Sequence, residues 1–214
     1  MDDLREREKR VAAEAATQLV CDGDRVGLGT GSTVAHVLPA LARRRLTVRC
    51  IATSPQTEHA ARDLGLIVDP FTGVHTIDIA IDGADQIAAD GWLIKGGGGA
   101  HTREKIVAAA ARRFVVIASS DKLVERLAPP VPIEVMAFGI DATLAQLGAV
   151  AIRNAPPSPD GGVIADYAGP VGDPEELATW LSAQPGVVEH GLFAPTLVTD
   201  VLVGRGDAVE RIRP

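Results

Sequence analysis

Arg25-Val26-Gly27-Leu28-Gly29-Thr30-Gly31-Ser32-Thr33 is the stretch on which the fold turns. A β-rich tetrapeptide runs into glycines and hydroxyls, and Val34 to Arg44 then spaces Val37, Leu38 and Leu41 along one helical face. Strand, glycine turn and helix in that order open a βαβ unit. The alternation continues outward. Leu46–Ala52 reads as strand, Gln56–Leu64 as helix and Leu66–Val68 as a short strand, while upstream Leu4, Val11, Ala15 and Leu19 space a helix over residues 2–20. Downstream, Thr76 to Asp82 alternates with Ile77, Ile79 and Ile81 on one face and stops at the turn Asp82-Gly83. Leu93–Lys95 leads into Gly96 to Gly99 and a helix through about Arg113, and Phe114–Ala118 is a further apolar strand. Strands alternating with helices predict a parallel sheet with crossover helices, hence an α/β, Rossmann-like domain.

At Pro129-Pro130-Val131-Pro132 the pattern changes. Beyond it lie strand-like Ile133–Val135, a short helix near Asp141–Leu147, a strand over Ala149–Arg153 and a Pro/Gly-rich loop from Ala155 to Gly162. Asp173-Pro174 opens another helix, with Asp173 as N-cap, and strands near Val187–Leu192 and Thr196–Val203 follow. The expected organisation is a Rossmann-like catalytic domain of residues 1–128 plus about 204–214, and a smaller α+β domain of 129–203 inserted before a last strand or two.

Composition narrows the function. A chain of 214 residues that is 46% hydrophobic can build a genuine core. With 3% aromatic residues and a net charge of −7, neither base stacking nor general phosphate-backbone binding is served, so nucleic acid is not an expected partner. No apolar run approaches the ~20 residues of a membrane span, and the charged start lacks the apolar core of a signal peptide, so a cytoplasmic location away from membranes is expected. Cys21 and Cys50 are far apart, with no C-x-x-C spacing, and are read as ordinary small packing residues. Of the 21 Lys and Arg residues only four are lysines: Lys9, Lys95, Lys105 and Lys122.

Three stretches could carry chemistry. Gly29 to Thr33 lies between a strand and a helix, where backbone N–H groups, the helix dipole and three hydroxyls can hold a phosphate; the plainer reading is a turn capping its own helix. The third glycine and downstream carboxylate of a dinucleotide fingerprint are missing, and there is no P-loop, so a simple phosphoester fits better than NAD or ATP. Asp82-Gly83-Ala84-Asp85 sets two carboxylates past a strand's C-terminal end, unless it is merely a turn. Lys95 and the glycines after it could converge on one anionic oxygen; a flexible linker is the alternative. Glu104, in the first turns of the following helix, suits the removal of a proton next to a carbonyl, although acidic residues also favour helix starts for electrostatic reasons.

Taken with Ile133-Glu134-Val135, Pro185-Gly186-Val187-Val188 and Gly191-Leu192-Phe193, these motifs resemble the A type of ribose-5-phosphate isomerase, in order, from about Lys9 to the C-terminus. The resemblance implies interconversion of ribose 5-phosphate and ribulose 5-phosphate through an enediolate, with no metal and no cofactor, and a homodimer. Residue by residue, it makes Glu104 the proton-shuttling base and sets Asp82 and Asp85, with Gly83 and Ala84 between them, around the sugar hydroxyls and ring oxygen. Lys95 with Gly96, Gly97 and Gly98 becomes the oxyanion loop, Thr30, Gly31, Ser32 and Thr33 the phosphate loop, Lys122 a substrate-binding lysine and Lys9 a lysine near the phosphate. Departures from the family pattern are Gln86 in place of glutamate, His101 in place of leucine, the stretch Ser119-Ser120-Asp121 before Lys122, and the loop Pro156–Gly162. His101 either packs or enters the site. A non-catalytic sugar-phosphate sensor and a CoA-transferase-like acyl enzyme with Glu104 as nucleophile are the alternatives.

Overall fold

The computed structural model describes residues 2–213. In chain order its elements are α1 (Asp2–Thr17), β1 (Arg25–Leu28), α2 (Val34–Arg43), β2 (Arg49–Ala52), α3 (Pro55–Asp63), β3 (Ile67–Val68), β4 (Ile79–Gly83), β5 (Gln86–Ala88), β6 (Leu93–Ile94), α4 (His101–Ala110) and β7 (Phe114–Ser119). They continue with β8 (Leu123–Val124), β9 (Val131–Val135), α5 (Ile140–Leu147), β10 (Val150–Ile152), β11 (Val163–Tyr167), α6 (Pro174–Ser182), β12 (Val187–His190), β13 (Leu192–Phe193), β14 (Asp200–Arg205) and β15 (Ala208–Ile212). The chain forms two units. One comprises the chain through Ala84, Arg103–Lys122 and the chain from Thr196 on; the other is Asp85–Thr102 with Leu123–Pro195.

The first unit is built on a seven-stranded sheet in the order β15-β14-β7-β4-β1-β2-β3, parallel except for the β14–β15 hairpin. The chain winds from β1 to β2 and β3 on one side, then returns to place β4 and β7 on the other. The carboxyl ends of β1 and β4 are therefore a topological switch point, where open α/β sheets build their sites. β7 throughout and β4 from Ile79 to Asp82 are buried residue after residue, because a parallel sheet is covered on both faces. That is why the alternation around Ile77, Ile79 and Ile81 does not mark an amphipathic strand: Ala80, between them, is as buried as they are. Val26, Leu28, Ile79, Ile81, Val115 and Ile117 form the core with Val37, Leu38 and Leu41 of α2 and Ala12, Ala13 and Ala16 of α1. The alanine face of α1 permits close approach, and a Cβ at Gly204 of β14 would lie 2.1 Å from the Glu8 carbonyl oxygen.

The second unit contains a four-stranded antiparallel sheet, β10-β11-β9-β12, and a second small sheet, β13-β6-β5-β8. Its core joins Val131, Ile133, Val135 and Ala165 to Leu177 and Leu181 of α6. Asp173 caps α6 as expected, its Oδ1 accepting the N–H groups of Glu175 (2.8 Å) and Glu176 (3.2 Å). The units follow pairing rather than composition. Residues 85–102 join the second because Leu93 and Ile94 pair with Phe193 and Leu192, while the return to the large sheet begins at Asp200, which pairs with Val115. Cys50 is fully buried and its thiol is pushed up to about 12, first by burial and then by the Asp69 carboxylate. Cys21, read as a packing residue, is instead exposed at the turn after α1.

Candidate active site

In the first unit three loops leave the carboxyl edge of adjacent strands: residues 29–33 after β1, Gly83–Ala84 at the end of β4, and a 3-10 turn, Ser120–Lys122, after β7. Asp82 is 3% exposed, and its Oδ1 accepts the N–H of Thr30 (3.1 Å) and of Gly83 (2.7 Å), which ties the first two loops together. Gly29 has a different duty from the one its motif suggests. A Cβ there would sit 1.9 Å from the Asp82 carboxyl carbon, so glycine at 29 makes room for that carboxylate. Thr57, in a helix capped by Ser54, donates to the Gly29 carbonyl (2.9 Å), and the Thr30 and Thr53 hydroxyls bond at 2.8 Å.

Gly31 has φ +114°, and the exposed turn it makes leads straight into α2. Thr33 makes no side-chain capping bond, which removes the reading of this turn as a cap for its own helix. Lys9, buried along its stem, reaches the turn from α1: its Nζ donates to Ser32 Oγ (3.0 Å) and Glu6 Oε1 (2.6 Å). Glu6 Oε2 lies 3.0 Å from His36 Nε2, and Lys9 first and His36 second hold the Glu6 carboxyl below its usual range.

Glu104 is 3% exposed, on α4. One turn later Val107 packs so tightly on β1 that a Cβ at Gly27 would lie 2.5 Å from its Cγ1. Residues three apart share a helix face, so Glu104 lies on the face that covers the sheet. α4 runs back from the end of β4 to the start of β7, which puts its N-terminal turn, and Glu104, at the carboxyl edge. Lys122 is half-buried at the end of the 3-10 turn. That turn is fastened by Glu8, whose Oε2 accepts the Ser120 N–H (2.9 Å) and hydroxyl (2.8 Å) and whose Oε1 accepts the Gly206 N–H (3.0 Å). Burial opposes ionisation of Glu8, but the Gly206 and Ser120 donors outweigh it and hold the carboxyl below its usual range. The departure at 119–121 has a local logic: the Ser119 hydroxyl donates to Asp121, which also pairs with Arg5 at 3.2 Å.

In the second unit Asp85 and the glycine run meet. The Gly97 N–H donates to Asp85 Oδ2 (2.8 Å), and a Cβ at Gly97 would lie 2.7 Å from Asp85 Oδ1. Gly99 donates to the Gly96 carbonyl (3.0 Å), closing a turn whose tip, Gly97 and Gly98, is exposed, so the run is an ordered turn rather than a linker. Lys95 is 2% exposed, its N–H held by the Gly191 carbonyl (2.8 Å) and its ammonium 5.2 Å from the centre of the Phe193 ring. His101 packs: it is fully buried, has Nε2 3.3 Å from the Glu189 carbonyl, and fills the space a Cβ at Gly96 would need. Gln86 is explained by its partner, since its amide both donates to the Ala128 carbonyl and accepts the Ala128 N–H, each at 2.8 Å. A glutamate could make only the second bond.

The structure thus gathers Lys9, Thr30, Ser32, Asp82, Glu104 and Lys122 at one sheet edge of the first unit, and Asp85, Lys95 and Gly96–Gly98 in one segment of the second. Sequence reading missed Glu8, Glu6 and His36, whose partners are distant in the chain and carry no motif. Among the described residues no group of three or more His, Cys, Asp or Glu is placed to hold a metal ion, and no helix is long and apolar enough to cross a membrane.

Fold and geometry define a class: a Rossmann-like α/β protein whose first unit brings Asp82, Glu104, Lys9, Lys122 and the 29–33 turn to the switch point of a parallel sheet. A family model for Ribose 5-phosphate isomerase A (phosphoriboisomerase A) matches residues 49–208. Ribose-5-phosphate isomerase A of Caulobacter vibrioides (strain NA1000 / CB15N) is 43% identical over 223 residues, covering 97% of this chain and 98% of that protein. The structure of ribose 5-phosphate isomerase A from Methanocaldococcus jannaschii matches with a TM-score of 0.91 at 36% identity, over 100% of this chain and 99% of that one. A D-ribose-5-phosphate isomerase in complex with phospho-erythronic acid matches with a TM-score of 0.92 at 32% identity, over 98% and 99% of the two chains. The chain belongs to the ribose 5-phosphate isomerase A family, which sets aside the sensor and acyl-enzyme readings.

Proposed function

We propose that this chain is an aldose–ketose isomerase that interconverts D-ribose 5-phosphate and D-ribulose 5-phosphate through an enediolate, in the non-oxidative pentose phosphate pathway. The observation that carries the reading is Glu104, a carboxylate buried at the same sheet edge as the 29–33 turn, in a chain of this family. The phosphate is received by the Gly31–Thr33 amides, the Ser32 and Thr33 hydroxyls and Lys9, with Lys122 as a further cation for the open sugar. Asp82 and Asp85, with Gly83 and Ala84, engage the hydroxyls and ring oxygen and assist ring opening.

Glu104 then removes the C2 proton. The C2–H electron pair becomes the C1=C2 double bond and the carbonyl electrons move to O1. The amides of Gly96–Gly98 and the Lys95 ammonium stabilise that oxygen. Return of the abstracted proton to C1 and transfer of the O2 proton to O1 give the ketose, with no net oxidation and no net gain or loss of protons. Phospho-erythronic acid, found on the related isomerase, supports this course: its carboxylate has the planar, anionic form of an enediolate. Wild-type protein should form ribulose 5-phosphate from ribose 5-phosphate, and Glu104→Gln should lose about 10²–10⁴ in kcat. No turnover by wild type overturns the reading, and full turnover by Glu104→Gln overturns the base.

The homodimer implied by the family and the cytoplasmic location belong to the same proposal. Exposed apolar side chains on the second unit, Phe138 at 90% and Met136 at 53%, support an association surface. Light scattering after size exclusion should give twice the chain mass, and a single-chain mass would rule the dimer out.

A further inference from the structure

Arg153 lies just past β10 in the second unit, and no feature of the sequence marks it. Four of its five guanidinium N–H groups are committed within that unit. Nε donates to Asp166 Oδ2 (2.9 Å) and Nη2 to Asp166 Oδ1, while Nη1 donates to the carbonyls of both Gly96 and Gly97, at 3.0 Å each. Asp166 first, and Asp85 more weakly, favour the charged guanidinium and raise its pKa against the cost of burial.

A trans peptide is planar, with its C=O and N–H pointing in opposite directions. Holding the Gly96 carbonyl on Arg153 therefore sends the Gly97 N–H the other way, where Asp85 accepts it. Holding the Gly97 carbonyl sends the Gly98 N–H to that same side. Consecutive glycines have no side chains to hold the turn and the widest backbone freedom of any residue. The Gly99 N–H closes the turn on the Gly96 carbonyl, and the direction of its amides is then set from outside the turn, by Arg153 on the two carbonyls and Asp85 on the Gly97 N–H. We propose that Arg153, locked by Asp166, is a positioning residue for the oxyanion loop: it takes the carbonyls of Gly96 and Gly97 so that the amides of Gly97 and Gly98 face Asp85 and the reacting oxygen. A planar fork suits this role, because it can span two carbonyls and a carboxylate at once, which a single ammonium cannot.

The proposal rests on the isomerase reading, and the experiment separates the two. Turnover of ribose 5-phosphate is measured for wild type, Arg153→Ala and Arg153→Lys, with thermal melts to establish folding. A misaimed oxyanion donor costs about 10²-fold. Arg153→Ala should lose about that factor in kcat with KM changed less than about threefold, because the amides act on the transition state rather than on the phosphate. Added guanidinium ion should restore part of the Arg153→Ala rate, and methylammonium should not. Arg153→Lys keeps the charge next to Asp166 and covers the case in which the alanine variant does not fold; it should also lose at least tenfold in kcat. Either folded variant with kcat within threefold of wild type, or a loss confined to KM, overturns the positioning role while wild-type turnover upholds the isomerase. Absent wild-type turnover overturns both.

Discussion

Gly29 shows how much one residue can change between motif and structure. In the sequence it is the first glycine of a phosphate-type turn; in the fold its missing Cβ is the space that Asp82 occupies. Gly29→Ala should therefore act through Asp82. The added methyl would displace the carboxylate from the Thr30 N–H, costing about 1–3 kcal/mol of stability as an overpacked site does and lowering turnover at least tenfold. Urea unfolding and kcat of Gly29→Ala test this, and a variant with both unchanged would show that Asp82 can be held elsewhere. Gln86 is a departure whose reason is local and complete, an amide matched to both polar groups of Ala128. Lys95, Asp85 and Glu104 were legible because a glycine run, a paired carboxylate and a helix start stand out against ordinary surface composition. Arg153 and Glu8 were not: one arginine of many, and one acid in the charged run Glu6 to Arg10, acquire their roles only from partners far along the chain.

At the scale of elements, α1 does more than cover the sheet. Its Lys9 meets the 29–33 turn, and its Glu8 fastens the turn that carries Lys122 and the β14–β15 hairpin. Glu8 is held below its usual carboxyl range in the folded state, so it binds fewer protons there than when unfolded. Its stabilising contribution is present above the ordinary glutamate range of the unfolded chain and is lost as pH falls through the lower folded value. Glu8→Gln should be about 1–2 kcal/mol less stable than wild type near neutral pH, because one donor loses its acceptor. The gap should narrow by pH 3.5. Urea melts at the two pH values check it, and a gap that widened in acid would contradict the sign. Asp200, held low by Arg211 and Arg113 against its burial, adds to the same acid lability. Element order was largely readable, because period and glycine punctuation are local. β5, β8 and β11 were missed: two are only two or three residues long, and Val163–Tyr167 follows a Pro/Gly-rich loop that masks its start.

For the whole molecule, the net charge of −7 is compatible with an anionic substrate because the cations are local. Lys9 reaches the 29–33 turn, Lys95 is buried beside the glycine run and Lys122 ends the turn after β7, which gives the scarcity of lysine a structural meaning. The sequence by itself determined the α/β class and the family, and singled out the candidate site's chemical types, since hydrophobic period, turn chemistry and short motifs are properties of neighbouring residues. The tertiary structure alone decided where the units divide, why Gly29 must be glycine, and which side chains hold the turns at 29–33, 96–99 and 120–122. Those depend on strand pairing and on hydrogen bonds between residues distant in the chain, such as Glu8 to Ser120 and Arg153 to Gly96, and no local pattern records such a bond.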